Sequence, residues 1–257
     1  MNLKTIAKYG ICAFVAMTFL SSCIGVSVSS SPNKSATNIS YVHDTMYVQT
    51  VANGTFVYNL PCKVVNIHQE KPGKSILFLW LHGGVHDVAK HDLFAFNHLD
   101  CVAADDSILN YLQKKDIKAI ALFPVCHRAV DPKPIAWRDC YYEIKNIIDD
   151  YAEKGLIDTS RIYLAGSSDG GTGTWDFVET HPEVFAVAMA QSCGRPRETK
   201  IPVFFFNTSS EHDCTAEVEK LASRNLITYK YCADQKHGGD SAECTEEFLD
   251  KYFSYHK

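Results

Sequence analysis

Residues 165–176 read AGSSDGGTGTWD and set Ser168 two residues from a glycine on either side, after the apolar run RIYLAG and before a stretch of helical character. A strand-to-helix turn of the form G-x-S-x-G is too tight for side chains at its flanking positions. It lifts the serine hydroxyl above the C-terminal edge of a sheet, with a helix N-terminus behind it. That positive helix end favours the negative charge that develops when a serine oxygen attacks an acyl carbon. The same five residues also suit a Gly/Ser-rich turn without chemistry, so the strand, the helix and the partners elsewhere must decide. His82, His86 and His91, with Asp87, Asp92 and His98 nearby, are of the types that bind zinc. Their spacing matches neither HExxH nor another familiar zinc-ligand pattern, and no phosphate loop or dinucleotide fingerprint occurs. Neither a metal nor a cofactor is expected.

The elements that must position the serine are legible as apolar runs. SILFLWLHGG, KAIALFPV, RIYLAG, VFAVAMA and IPVFFFNT are continuous rather than alternating. Such runs belong to strands covered on both faces, as in a parallel sheet flanked by helices. Ile144, Ile147, Ile148 and Tyr151 form one helical stripe. Phe248, Leu249, Tyr252 and Phe253 form another, with Thr245 as its N-cap. Near the start, MYVQTVANGTFVYNLP gives two β-rich runs around Asn53-Gly54, a hairpin signal. The expected fold class is α/β, with a mostly parallel central sheet and an N-terminal antiparallel hairpin. The domain is expected to run over residues 44–257, after a Ser-rich tether at 23–43 that cannot bury a core.

Between about residues 75 and 237 the chain resembles the α/β-hydrolases of the esterase group that includes feruloyl esterases, acetylxylan esterases and polyhydroxybutyrate-depolymerase-like enzymes. The resemblance rests on LFLWLHGG, GLIDTSRIYLAGSSDGGTGTWDF, HPEVFAVAMAQSCG and IPVFFFNTSSEHD. It implies that Ser168 is the nucleophile and that the order Ser, acid, His holds. It also implies an oxyanion hole built from the amide of Asp169 and that of Gly84 or Val85 in the loop His82-Gly83-Gly84-Val85; the Asp169 side chain must then point away. Of the later histidines, His181 follows the helix after the elbow and so lies at its wrong end, and His256 is penultimate in the chain. His237, in the loop ADQKHGGDS after the last expected strand, is the expected general base. Two carboxylates follow the strand IPVFFFN. An ungapped overlay puts Glu211 at the acid position, and a turn two residues longer puts Asp213 there. Asp213 is preferred, because the family more often uses Asp and Cys214 could pin the longer loop. The chain departs from the family in carrying Asn207-Thr208 where relatives usually have His-Gly. Trp137 and Arg138 either close one side of the pocket or begin a helix.

A net charge of −5 and the lack of a basic run argue against nucleic acid as a partner. The opening MNLKTIAKYGICAFVAMTFLSSC reads as a secretory signal, residues 1–22, and its end resembles a lipoprotein lipobox, which would make Cys23 the lipidated residue and the membrane a partner through that anchor. Beyond Cys12 and Cys23, eight cysteines in an exported chain suggest disulfides of open connectivity. The expectation is an exported, lipid-anchored serine esterase acting on a small-molecule or glycan-linked ester. A peptidase or acyltransferase with the same triad, and a non-catalytic binding lipoprotein, are the alternatives.

Overall fold

The computed structural model describes residues 40–50, 56–84, 103–124, 126, 136–238 and 243–257, all within the unit Asn38–Lys257. The signal, Cys23, the turn at Asn53-Gly54, Val85, the cluster His86 to His98 and Cys101 lie outside them. The two β-rich runs form β1 (Ser40–Thr50) and β2 (Phe56–Ile67), paired antiparallel from Ser40↔Asn66 to Thr50↔Phe56. β1 thus starts four residues before the expected edge of the domain.

The five continuous apolar runs become β3 (Ser75–Leu81), β4 (Ala119–Pro124), β5 (Ile157–Ser167), β6 (Val187–Gln191) and β7 (Val203–Thr208), joined by β8 (Ile227–Cys232). β3 shows why such runs are continuous. Alternate side chains point to opposite faces of a strand. Leu77, Leu79 and Leu81 enter one core, with Ile144, Ile147 and Ile148 of α2 (Tyr141–Glu153) and Trp175 and Phe177 of α3 (Asp169–Thr180). Ile76, Phe78 and Trp80 enter the other, with Ile108 and Leu112 of α1 (Ala103–Lys114) and Leu249 and Tyr252 of α5 (Glu246–Tyr252). Thr245 caps α5, its side chain accepting from the Phe248 amide at 3.2 Å.

The sheet order is β1-β2-β4-β3-β5-β6-β7-β8. β3 to β8 are mutually parallel, and β2 joins β4 antiparallel. This is the α/β-hydrolase fold. The chain steps from β3 outward to β4, then returns to the other side of β3 as β5, so the order reverses between β3 and β5. In such sheets ligands bind beyond the C-terminal strand ends at that reversal. Here the two ends lead into His82-Gly83-Gly84 and into Ser168. The expected disulfides do not appear: none joins the described cysteines, although the Cys126 and Cys140 sulfurs lie 3.5 Å apart.

Candidate active site

Ser168 sits between the end of β5 and the first residue of α3, with φ 58° and ψ −119°. A non-glycine residue at such dihedrals carries strain of order 1–3 kcal/mol, which its surroundings must impose. They do so from both sides: the Ser168 amide donates to the Gln191 carbonyl at the end of β6, at 2.8 Å, and its carbonyl accepts from the Thr172 amide at 3.0 Å. The flanking glycines are forced by crowding. A Cβ on Gly170 would overlap the Leu81 carbonyl, and one on Gly166 would overlap the Gly170 carbonyl. Gly170→Ala should therefore cost about 3 kcal/mol or more, to be read as a fall in the denaturant midpoint of unfolding.

The loop after β3 runs beside the serine. A Cβ on Gly83 would stand 3.1 Å from Ser168 Cβ and 3.7 Å from its Oγ, a contact tight enough that any larger residue would press on the serine. His82 is buried behind the loop and holds its geometry. Its Nε2 accepts from the Cys126 amide at 3.0 Å, which leaves Nδ1 to carry the proton and donate to the Gly83 carbonyl at 2.6 Å. Because C=O and N–H point oppositely across a trans peptide, fixing the Gly83 carbonyl toward His82 turns the Gly84 amide the other way. Trp137 donates its indole N–H to the His82 carbonyl at 3.0 Å and packs edge-on against the His82 ring. Trp137 thus takes both roles considered for it, as wall and as the start of a helical turn, Trp137–Cys140. With both ring nitrogens engaged inside the protein, His82 is not available to a metal through that ring.

His237 meets Glu211: its Nδ1 lies 2.5 Å from Glu211 Oε1. The preference for Asp213 at that position is corrected. Asp213 Oδ1 instead accepts from the amide and hydroxyl of Thr215 at 3.0 and 2.7 Å, and from the Tyr229 hydroxyl at 3.2 Å, at the head of α4 (Thr215–Lys220). The shorter turn wins because Thr208, the last residue of β7, captures Glu211. Its amide and hydroxyl donate to Oε2 at 2.9 and 2.6 Å, leaving Oε1 for the imidazole. Cys214 contributes no disulfide to the loop; its amide donates to Tyr229.

The His237 loop is fixed by two serines. The His237 amide donates to Ser210 Oγ at 3.0 Å, and the Gly238 amide to Ser192 Oγ at 2.9 Å. Ser192 is itself at φ 45° just beyond β6. Asn207 ties the neighbouring loops, accepting from the Cys193 amide and donating to the His212 carbonyl, both at 3.1 Å. The residues that sequence reasoning missed are therefore Thr208, Ser192 and Ser210. The departure at Asn207-Thr208 was a visible sign of Thr208 alone, since polar residues ending a buried strand need partners. His212 is turned to Glu217, 3.0 Å away, and His181 stacks on Tyr141.

Ser168, Asp169, Ser192, Arg195, Glu211 and His237 line a single cleft of about 550 Å³. A smaller hollow of about 140 Å³ lies on the side of the loop after β3, between Gly83, Gly84, Cys126, Trp137 and Asp169. The structure thus brings Ser168, His237 and Glu211 to one cleft and Gly84 and Asp169 to its neighbour, and leaves Asp213 aside.

Burial by itself would raise the Glu211 carboxyl. Hydrogen bonds from the Thr208 hydroxyl, from His237 and from the Thr208 amide outweigh it and hold the group below its ordinary 4.5. A carboxyl depressed on folding adds stability that is present above its unfolded pKa and lost as pH falls through the folded value. Glu211→Gln should flatten the fall in melting temperature below about pH 4.5, a difference visible when both proteins are melted across pH 3–6.

Residues 138–194, from the turn before α2 through the elbow to three residues past β6, match the prolyl oligopeptidase family. No curated protein matches the chain. Solved structures match the fold at low identity. A thermostable esterase is 20% identical with a TM-score of 0.59, the match covering 83% of this chain and 64% of that one. A ferulic acid esterase is 14% identical with a TM-score of 0.61, over 85% and 99%. A feruloyl esterase module from Clostridium thermocellum, complexed with sinapinate, is 15% identical with a TM-score of 0.58, over 90% and 94%.

Proposed function

We propose that the protein is a serine esterase in which Ser168, His237 and Glu211 form the catalytic triad. The observation that carries this reading is the 2.5 Å pairing of His237 Nδ1 with Glu211, in the cleft that Ser168 lines. With Nδ1 committed to the carboxylate, Nε2 is left to take the proton of the Ser168 hydroxyl as Oγ attacks an ester carbonyl. The amides of Asp169, in the first turn of α3, and of Gly84 stabilise the oxyanion, with Val85 the further candidate in that loop. The imidazolium returns its proton to the departing alcohol. Water, deprotonated by the same nitrogen, then releases the acid from Ser168. No step calls for a cofactor.

His82 acts on this site through the Gly83 peptide. His82→Ala is expected to lower kcat on a p-nitrophenyl ester about 10-fold with little change in KM, because the interaction lost is one made in the transition state.

Substrates of this reading are carboxylic esters, in keeping with the feruloyl and ferulic acid esterases among the structural neighbours, and acyl groups on glycans belong to the proposal. The basic and apolar start of the chain and its Leu20-Ser21-Ser22-Cys23 ending support export and lipid anchoring through Cys23 on the outer side of a bacterial membrane. A second reading, a serine peptidase, is favoured by the match to the prolyl oligopeptidase family across the elbow. The test is parallel hydrolysis of p-nitrophenyl acetate and of a prolyl peptide p-nitroanilide. Turnover of the ester with little release from the anilide supports the esterase. Preferential cleavage of the anilide favours the peptidase, and turnover of neither overturns both.

A further inference from the structure

Two cysteines stand behind the oxyanion loop. Cys126 follows β4, and its amide fixes the His82 ring. Cys140 ends the helical turn that carries Trp137 and leads directly into α2. The residues are fourteen apart in sequence, both side chains are buried, and the Cys140 thiol points at the Cys126 sulfur across 3.5 Å.

We propose that Cys126 and Cys140 form a structural disulfide that clamps the wall behind the oxyanion loop to the start of α2. The two sulfurs have to close from 3.5 Å to the roughly 2.05 Å of a disulfide. The oxidant is another disulfide, such as oxidised glutathione or the disulfide of an exported oxidoreductase. One cysteine thiolate attacks it, releasing one thiol and leaving a mixed disulfide. The second cysteine then displaces the other thiol, so two cysteines give up two protons and two electrons and one disulfide becomes two thiols. The hydrogen bond to Cys126, together with burial, raises the Cys140 thiol well above its ordinary pKa. Burial of both side chains shields the sulfurs from an oxidant in the finished fold, so the bond forms while the chain folds.

The bond would tie two parts of one wall. His82 receives the Cys126 amide and, through its carbonyl, the Trp137 indole. Cys126 and Trp137 also line the same 140 Å³ hollow. Closing a loop of this length removes enough freedom from the unfolded chain to move the unfolding midpoint by roughly 6 °C or more.

The test needs no catalytic activity, so it stands apart from the esterase reading. The full chain is reduced in denaturant, refolded in mixed oxidised and reduced glutathione, alkylated with iodoacetamide and digested with trypsin. Cleavage after Lys118, Arg128, Arg138 and Lys145 puts Cys126 in AIALFPVCHR and Cys140 in DCYYEIK. These two peptides joined by a bond that dithiothreitol cleaves are the expected result. Alkylation of both cysteines, or their joining to other cysteines, overturns the proposal. Dithiothreitol should also lower the melting temperature of the wild type but not of Cys140→Ser. An equal fall in both assigns the effect to another pair and contradicts the clamp.

Discussion

Ser168→Ala is expected to lower kcat on p-nitrophenyl acetate by about 10⁴-fold or more while leaving the fold intact. The attacking oxygen is removed, and neither the amides nor His237 can replace it, so only the residual catalysis of an oxyanion hole and a binding cleft should remain. Alanine keeps the steric class of serine and gains no relief from the strained dihedrals at φ 58°, so the melting temperature should barely change. Steady-state kinetics beside a thermal melt separate loss of chemistry from loss of structure. A variant retaining a tenth of the activity would remove Ser168 from the mechanism.

The second large effect separates the two carboxylates. Glu211→Gln should cost about 10²- to 10⁴-fold in kcat, because an amide in place of the carboxylate can no longer hold His237 with its proton on Nδ1 or stabilise the imidazolium. Asp213→Asn should change kcat by less than about threefold, since Asp213 is bonded to Thr215 and Tyr229. Stability should change by no more than about 1 kcal/mol, because the amide oxygen of Asn still accepts from Thr215 and Tyr229 and only the charge is lost. Measuring both variants on one ester decides the matter. Equal losses, or the reverse order, would restore Asp213 as the acid.

What the sequence disclosed follows from how strongly each feature constrains residue type. A strand such as β3, buried on both faces, must be apolar at every outward position, so its run can be read directly. The elbow was equally plain, because the crowding of Leu81 against Gly170 and of Gly170 against Gly166 permits nothing larger than glycine. The acid was not plain. Glu211 and Asp213 lie two residues apart in one polar loop, and the choice turns on a local contest: Thr208 captures one carboxylate and Thr215 the other. Ser192 left no pattern at all, since its role arises from a long-range bond to the Gly238 amide. Cysteine parity suggested disulfides without revealing pairs, because pairing is a property of the fold. Only the structure brings Cys126 beside Cys140.

The central claim is that Ser168 is an activated nucleophile, and covalent trapping tests it most directly. The folded protein is treated with a fluorophosphonate, digested, and the adduct located by peptide mass spectrometry, with His237→Ala treated alongside. The account predicts one adduct, on Ser168, formed far more slowly in the variant. A folded protein that takes up no label, or one labelled instead at Ser192 in the same cleft, would contradict it.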